Sequence, residues 1–179
     1  MDNPFAEGEN RIIRPPSTAV VIFGASGFIV LGVARSKMTD QEYRDNLYQA
    51  VKKFSRRPIS ESVWAEFAKG IHYQSIDVTK PDDFATLRNR LEGLGSERGE
   101  HFNYLYYLAV SPSFFGTIAT NLKSAGLVSA PGEGMRSTNL IIEKPFGHDL
   151  HTARELNSTL RASFAEPQIY RIDHYLGKE

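Results

Sequence analysis

Four stretches of the 179-residue chain carry residues whose types and spacing suit chemistry. Gly24-Ala25-Ser26-Gly27 directly follows the apolar run Val20-Val21-Ile22-Phe23. A small-residue turn leaving a buried strand lets backbone N–H groups approach a pyrophosphate; a tight turn between two buried strands fits the same residues. Arg35 follows the next apolar run, Ile29 to Val33. A dinucleotide-binding fold would present an acid there to the ribose hydroxyls of NAD. A guanidinium instead suits the 2′-phosphate of NADP, which it can grip bidentately, unless it is simply a solvated strand end. Glu143-Lys144-Pro145 follows the predicted strand Asn139 to Ile142, and open α/β sheets bind ligands at the carboxyl ends of their strands. Pro145 restricts its own φ and biases Lys144 toward an extended backbone, so the ammonium is aimed from a rigid base; a surface Lys-Glu pair is the alternative. Tyr170 to Glu179 gathers Asp173, His174, Tyr175 and Lys178 after the last predicted strand. Asp173 could orient a histidine, and the other three could donate to a phosphate or hydroxyl; an ordinary polar segment is the competing reading. His148 and His151 lack a cysteine or obvious third ligand, so no metal site is expected and both should be exposed at a helix start.

The elements that must position these residues follow from periodicity and caps. Residues 1–17 hold Pro4, Pro15 and Pro16 without periodicity and are expected to form a flexible tail, with order starting near Thr18. The capping-box spacing Thr39-x-x-Glu42 opens a helix over about 40–54. A shorter helix should follow Ser60, with Val63, Trp64 and Phe67 on one face and Gly70 as its stop. Ile71 to Asp77 then reads as a strand. Pro81 opens an amphipathic helix of Phe84, Leu87, Leu91 and Leu94 that should end at Gly95. Phe102 to Val110 is a strand. Ser111 and Pro112 open a helix with Phe115, Ile118, Ala119 and Leu122, and 126–137 form a loop. Asn139 to Ile142 is a strand, Asp149 caps a helix bearing Ala153, Leu156 and Leu160, and Gln168 to Ile172 is the last strand. Strands alternating with helices predict an α/β doubly wound parallel sheet covered on both faces. One spacing breaks the pattern. Only Phe28 separates Gly27 from Ile29, whereas parallel neighbours need a crossover of a dozen or more residues. The first crossover helix is absent, and with it the helix N-terminus that would hold a phosphate.

Composition narrows the classes. With 41% hydrophobic and 23% charged residues the chain has the make-up of about one globular domain. Lys plus Arg and Asp plus Glu balance at 21 each, so neither nucleic acid nor an anionic membrane is expected as a partner. The apolar segment Thr18 to Ala34 falls short of the roughly 20 apolar residues of a spanning helix. The first ten residues, acidic and broken by Pro4, do not read as an export signal. The absence of cysteine suits a reducing cytoplasm.

Ile22-Phe23-Gly24-Ala25-Ser26-Gly27, Ala34-Arg35-Ser36, Tyr107-Leu108-Ala109-Val110-Ser111-Pro112, Ile142-Glu143-Lys144-Pro145-Phe146-Gly147 and the segment Arg171 to Glu179 occur in this order. Together they resemble the glucose-6-phosphate dehydrogenase family, whose N-terminal NADP-binding domain corresponds to residues 18–179. The resemblance implies a Rossmann-like doubly wound parallel sheet, incomplete for want of the first crossover helix. It implies oxidation of glucose 6-phosphate to 6-phosphogluconolactone with hydride transfer to NADP, the entry step of the pentose phosphate pathway. By the same resemblance Gly24, Ser26, Gly27 and Arg35 would hold NADP. Ala109, Pro112, Glu143, Lys144 and Pro145 would flank the nicotinamide and sugar, Lys144, His174, Tyr175 and Lys178 would contact substrate, and Asp173 would partner the catalytic histidine. Three departures stand out: Phe28 in place of an Asp and the missing helix after it, Val110-Ser111-Pro112 in place of Leu-Pro-Pro, and a chain ending at Glu179. The last implies that the substrate domain, with the general-base histidine and the family's oligomer interface, is absent, and that this chain would not turn over alone. A non-catalytic NADP-binding or protein-interaction module is the second reading. A short-chain reductase is disfavoured, since Tyr175-x-x-Lys178 has the wrong spacing for that chemistry.

Overall fold

The chain runs β1 (Thr18–Gly24), β2 (Gly27–Ala34), α1 (Asp40–Phe54), α2 (Glu61–Ala68), β3 (Ile71–Ser75), α3 (Pro81–Arg98) and β4 (Asn103–Leu108). A 3₁₀ turn (Pro112–Phe114) leads into α4 (Phe115–Ser124), followed by β5 (Thr138–Glu143), α5 (Leu150–Ser163), a second 3₁₀ turn (Glu166–Gln168) and β6 (Ile169–Ile172). This is a computed structural model that describes residues 18–24, 27–132 and 136–173, the first of these by backbone alone. The expected tail, 1–17, lies outside the described residues.

Local chemistry explains most boundaries. Thr39 and Glu42 close a reciprocal capping box on α1, whose first turn is acidic (Asp40, Glu42) and last turn basic (Lys52, Lys53), as the helix dipole favours. Asp149 and Thr152 do the same for α5. Pro81 stands in the first turn of α3, where its missing N–H costs nothing. One helix end needs correction. The helix at 81 does not end at Gly95: it continues to Arg98 and stops at Gly99, whose φ of 66° is left-handed. A glycine inside a helix costs only about 1 kcal/mol, and the Gly95 carbonyl is used by the returning chain, accepting from the Glu100 amide (3.1 Å). In α2 the apolar face is largely uncovered, with Val63 67% and Phe67 43% exposed; Trp64 alone of the three is half-buried.

The strands form one sheet in the order β3-β2-β1-β4-β5-β6. β2 is parallel to β3, and β4, β5 and β6 are mutually parallel. The α/β, Rossmann-like, doubly wound architecture without its first crossover helix is therefore present, with one difference in strand direction. β1 runs antiparallel to both β2 and β4. Gly24 pairs with Gly27, and a link of two residues can join only antiparallel neighbours.

Helices cover both faces. On one, Ile29, Leu31 and Val33 of β2, Tyr104, Tyr106 and Leu108 of β4, and Leu140 and Ile142 of β5 are buried with residues of α3, α4 and α5. Each such side chain contributes about 1.5–3 kcal/mol on burial. On the other, Tyr43 of α1 packs with Ile71 and Tyr73 of β3. Among the described residues no helix is long and apolar enough to cross a membrane.

Candidate functional site

Parallel strands put their carboxyl ends on one edge of the sheet, and this edge collects most of the residues singled out in the sequence. Arg35 leaves β2, Ala109 and Pro112 follow β4, Glu143 to Pro145 end β5, and Asp173 follows β6. Ligands of open α/β sheets bind at such an edge, where the order of strands reverses.

Arg35 is exposed, and its backbone is fixed by β3. Ser75 Oγ donates to the Arg35 carbonyl (3.0 Å), Tyr73 OH to the Ser36 carbonyl (2.5 Å), and the Ile76 amide to the Ala34 carbonyl (2.9 Å). The guanidinium thus extends into solvent from an anchored strand end. Nearby Asp77 is held below its ordinary value of 3.8, chiefly by the Thr79 hydroxyl and amide, with Arg35 a minor contributor.

At the other end of the edge, Lys144 Nζ forms an ion pair with Asp173 across β5 and β6. Lys144 is joined to Pro145 by a cis peptide bond. Tyr107 OH donates to Glu143 Oε1, and that bond, aided by burial, pushes the phenol up to about 12, so it stays protonated. Ala109 is exposed and Pro112 begins the first 3₁₀ turn. Sequence reasoning misses both Tyr107 and the partnership of Lys144 with Asp173. The signal that could have found Tyr107 is its alternation: it pairs with Ile141 and so shares a sheet face with Glu143 two residues on.

The glycine turn lies elsewhere. Because β1 is reversed, Gly24 and Gly27 stand at the amino end of β2, while Arg35 follows its carboxyl end. The eight residues of β2 separate the two by about 23 Å at 3.3 Å per residue. The structure does not bring Gly24 and Gly27 together with Arg35, and the turn serves as a hairpin connection. Ser26, His174, Tyr175 and Lys178 lie outside the described residues. His148 and His151 are exposed at the start of α5, with His151 3.6 Å from Glu155.

A family profile described as "Glucose-6-phosphate dehydrogenase, NAD binding domain" matches residues 21–179. This chain belongs to the glucose-6-phosphate dehydrogenase family. It is 38% identical over 170 residues to glucose-6-phosphate 1-dehydrogenase 2 of Mycobacterium tuberculosis, covering 95% of this chain and 31% of that protein. Identity to the Bacillus subtilis glucose-6-phosphate 1-dehydrogenase is 35% over 189 residues (93% and 37%), and to that of Streptococcus pneumoniae 39% over 186 (89% and 36%). The chain therefore spans about a third of the length of these curated relatives. The last two alignments are longer than the 179-residue chain itself, so those dehydrogenases carry positions without a counterpart here. Among solved structures, a glucose-6-phosphate dehydrogenase in complex with glucose 6-phosphate superposes with a TM-score of 0.69 at 32% identity, covering 83% of this chain and 30% of the other. The Mycobacterium avium glucose-6-phosphate 1-dehydrogenase gives 0.68 at 34%, covering 82% and 29%.

Proposed function

We propose that this chain is the coenzyme-domain part of a dehydrogenase that oxidises glucose 6-phosphate to 6-phosphogluconolactone and passes the hydride to NADP. The observation that carries this reading is the placement of Arg35 and the Lys144–Asp173 pair on one sheet edge. Three inter-strand steps separate β2 from β5 in the sheet order, about 14 Å at 4.8 Å each. That span suits a dinucleotide lying along the edge, with its 2′-phosphate on Arg35 and its nicotinamide near β5. When bound, NADP supplies the hydride acceptor. Arg35 would select the 2′-phosphate by bidentate hydrogen bonding. Asp173 would hold the Lys144 ammonium in place, and that ammonium would donate to an oxygen of the sugar substrate. Tyr107 would orient Glu143 at the root of the same turn. The two ends of the coenzyme fit the residues present, and its pyrophosphate does not, since Gly24 and Gly27 stand at the opposite edge. The cysteine-free composition fits a reducing cytoplasm.

Calorimetric titration with NADPH and NADH tests the reading. NADPH is expected to bind about tenfold more tightly than NADH, the value of one or two charge-assisted hydrogen bonds, and Arg35→Ala to erase the difference. Equal binding of the two by the unaltered chain would remove Arg35 from the site. With glucose 6-phosphate and NADP the chain is expected to show no turnover; robust activity would overturn that expectation.

A further inference from the structure

We propose that the cavity between α5 and β6 binds a phosphate-class anion, at a site separate from the carboxyl edge of the sheet. α5 presents Arg154, Asn157, Ser158 and Arg161 at spacings of three, four and seven from the first, so they form one stripe. Arg171 of β6 faces that stripe, and the cavity they line has a volume of about 700 Å³. Arg171 is rigidly held: its NH1 donates to Glu166 Oε1 and its NH2 to Asn157 Oδ1, both at 2.8 Å. Glu166 is held below its ordinary 4.5, chiefly by Arg171 and against some burial, so it counts as ionised.

The charge balance of the cavity favours an anion. Three guanidiniums face one carboxylate, and that carboxylate is already engaged by Arg171, with Arg161 at 3.9 Å. Arg154 has no hydrogen-bond or ion-pair partner among the described residues. The neighbouring Glu155 lies on the next position of the helix, outside the lining of the cavity, with its Oε2 3.6 Å from His151 Nδ1. At the carboxyl end of α5, Lys123 Nζ donates to the Ala162 carbonyl (2.5 Å), offsetting the negative end of the helix dipole that would repel an anion. Like charges gathered around a concave surface favour a counter-ion. The donors present match a tetrahedral phosphoryl group: two guanidinium forks, the Ser158 hydroxyl, and the Asn157 amide, whose oxygen is occupied by Arg171 and whose N–H groups remain to donate. The fold does not require the stripe, since Arg161 is 67% exposed and Arg154 is exposed.

NMR titration of the 179-residue chain at constant ionic strength tests this site. Inorganic phosphate is expected to shift α5 amide resonances, in a saturable manner, in the unaltered chain and in Arg35→Ala. Arg154→Glu and Arg161→Glu, exposed positions that leave the dispersion of core resonances intact, are each expected to weaken binding about tenfold or more. Absence of α5 shifts in millimolar phosphate, or undiminished shifts in both charge-reversal variants, would overturn the proposal. Loss of the shifts in Arg35→Ala would also overturn it, by assigning them to the coenzyme site. A phosphomonoester such as glycerol phosphate separates the sources. Equal affinity for ester and free phosphate marks the phosphoryl group as the whole ligand, and preference for the ester marks a phosphorylated metabolite; either supports the site.

Discussion

Asp40 is the side chain through which α1, β3 and α3 are joined. Its Oδ1 accepts from the Tyr73 amide (2.9 Å), and its Oδ2 lies 2.8 Å from His72 Nδ1 and 2.7 Å from Arg90 NH2. Burial raises the Asp40 value, but the Tyr73 amide, His72 and Arg90 outweigh it and leave it below 3.8. His72 is also lowered, mainly because burial disfavours the imidazolium; Asp40 opposes that, while Arg90 and Arg44 add to it. A histidine lowered on folding binds protons more readily when unfolded, so its contribution is complete above 6.5 and declines as pH falls from there to its folded value. The Asp40 contribution is present above 3.8 and is lost as pH falls through its depressed value. Urea unfolding across this range is expected to show stability falling in two stages, the first beginning below pH 6.5. His72→Gln should flatten that first stage; an unchanged decline would assign it to other groups. None of this was legible in the sequence, where Asp40, His72 and Arg90 are far apart. Arg35, Lys144 and Asp173 were legible because each stands at the end of a segment that reads as a strand, and position at a strand end can be read from the chain alone. Their pairing could not be, since it depends on which strands become neighbours.

At the level of elements, caps and periodicity located the helices, and the deviations came from packing. Gly95 read as a stop because glycine is a poor helix former, yet buried Leu91 and Leu94 hold α3 against the sheet on either side of Gly93. The left-handed residue that ends the helix is the next available glycine, Gly99. Val63 and Phe67 show the converse: apolar spacing describes a face without supplying anything to cover it. The approach of α1 to β2 was equally invisible in the sequence. A Cβ added at Gly32 would lie 2.6 Å from the ring of Tyr43, which is itself only 4% exposed and packs against the tilted ring of Tyr73, centroids 5.0 Å apart. Gly32→Ala is therefore expected to destabilise the fold by about 1–3 kcal/mol, the usual cost of overpacking. The urea midpoint measures it, and the loss should shrink when Tyr43→Leu makes room. A Gly32→Ala chain as stable as the original would mean that α1 does not sit this close to the sheet.

The whole molecule keeps the strand order of a doubly wound sheet while reversing one strand. Order and direction have different causes. Order is compatible with either direction of β1, whose apolar residues Ala19 to Phe23 are satisfied at the centre of the sheet whichever way it runs. Direction is set by the connection, and the two residues between Gly24 and Gly27 allow only a hairpin. The Bacillus subtilis and Streptococcus pneumoniae alignments contain positions this chain lacks, and its missing crossover is where such positions would restore a parallel β1. A helix-forming segment of a dozen or more residues inserted between Gly27 and Phe28 should therefore turn β1 around. That reversal would carry Gly24 to the edge that holds Arg35 and place a helix N-terminus beside it, ready for a pyrophosphate. Two readouts report it. Since the chain has no cysteine, spin labels at Thr18→Cys and Ser36→Cys would be unique. They flank one edge in the present chain, where Thr18 pairs with Val33, and should separate by about 20 Å when β1 reverses, the length of its six inter-residue steps. NADPH affinity should rise at least about tenfold in the same protein, as charge-assisted bonds to the pyrophosphate form. A label distance that stays short after insertion would show that the central strand, and not its connection, dictates its own direction.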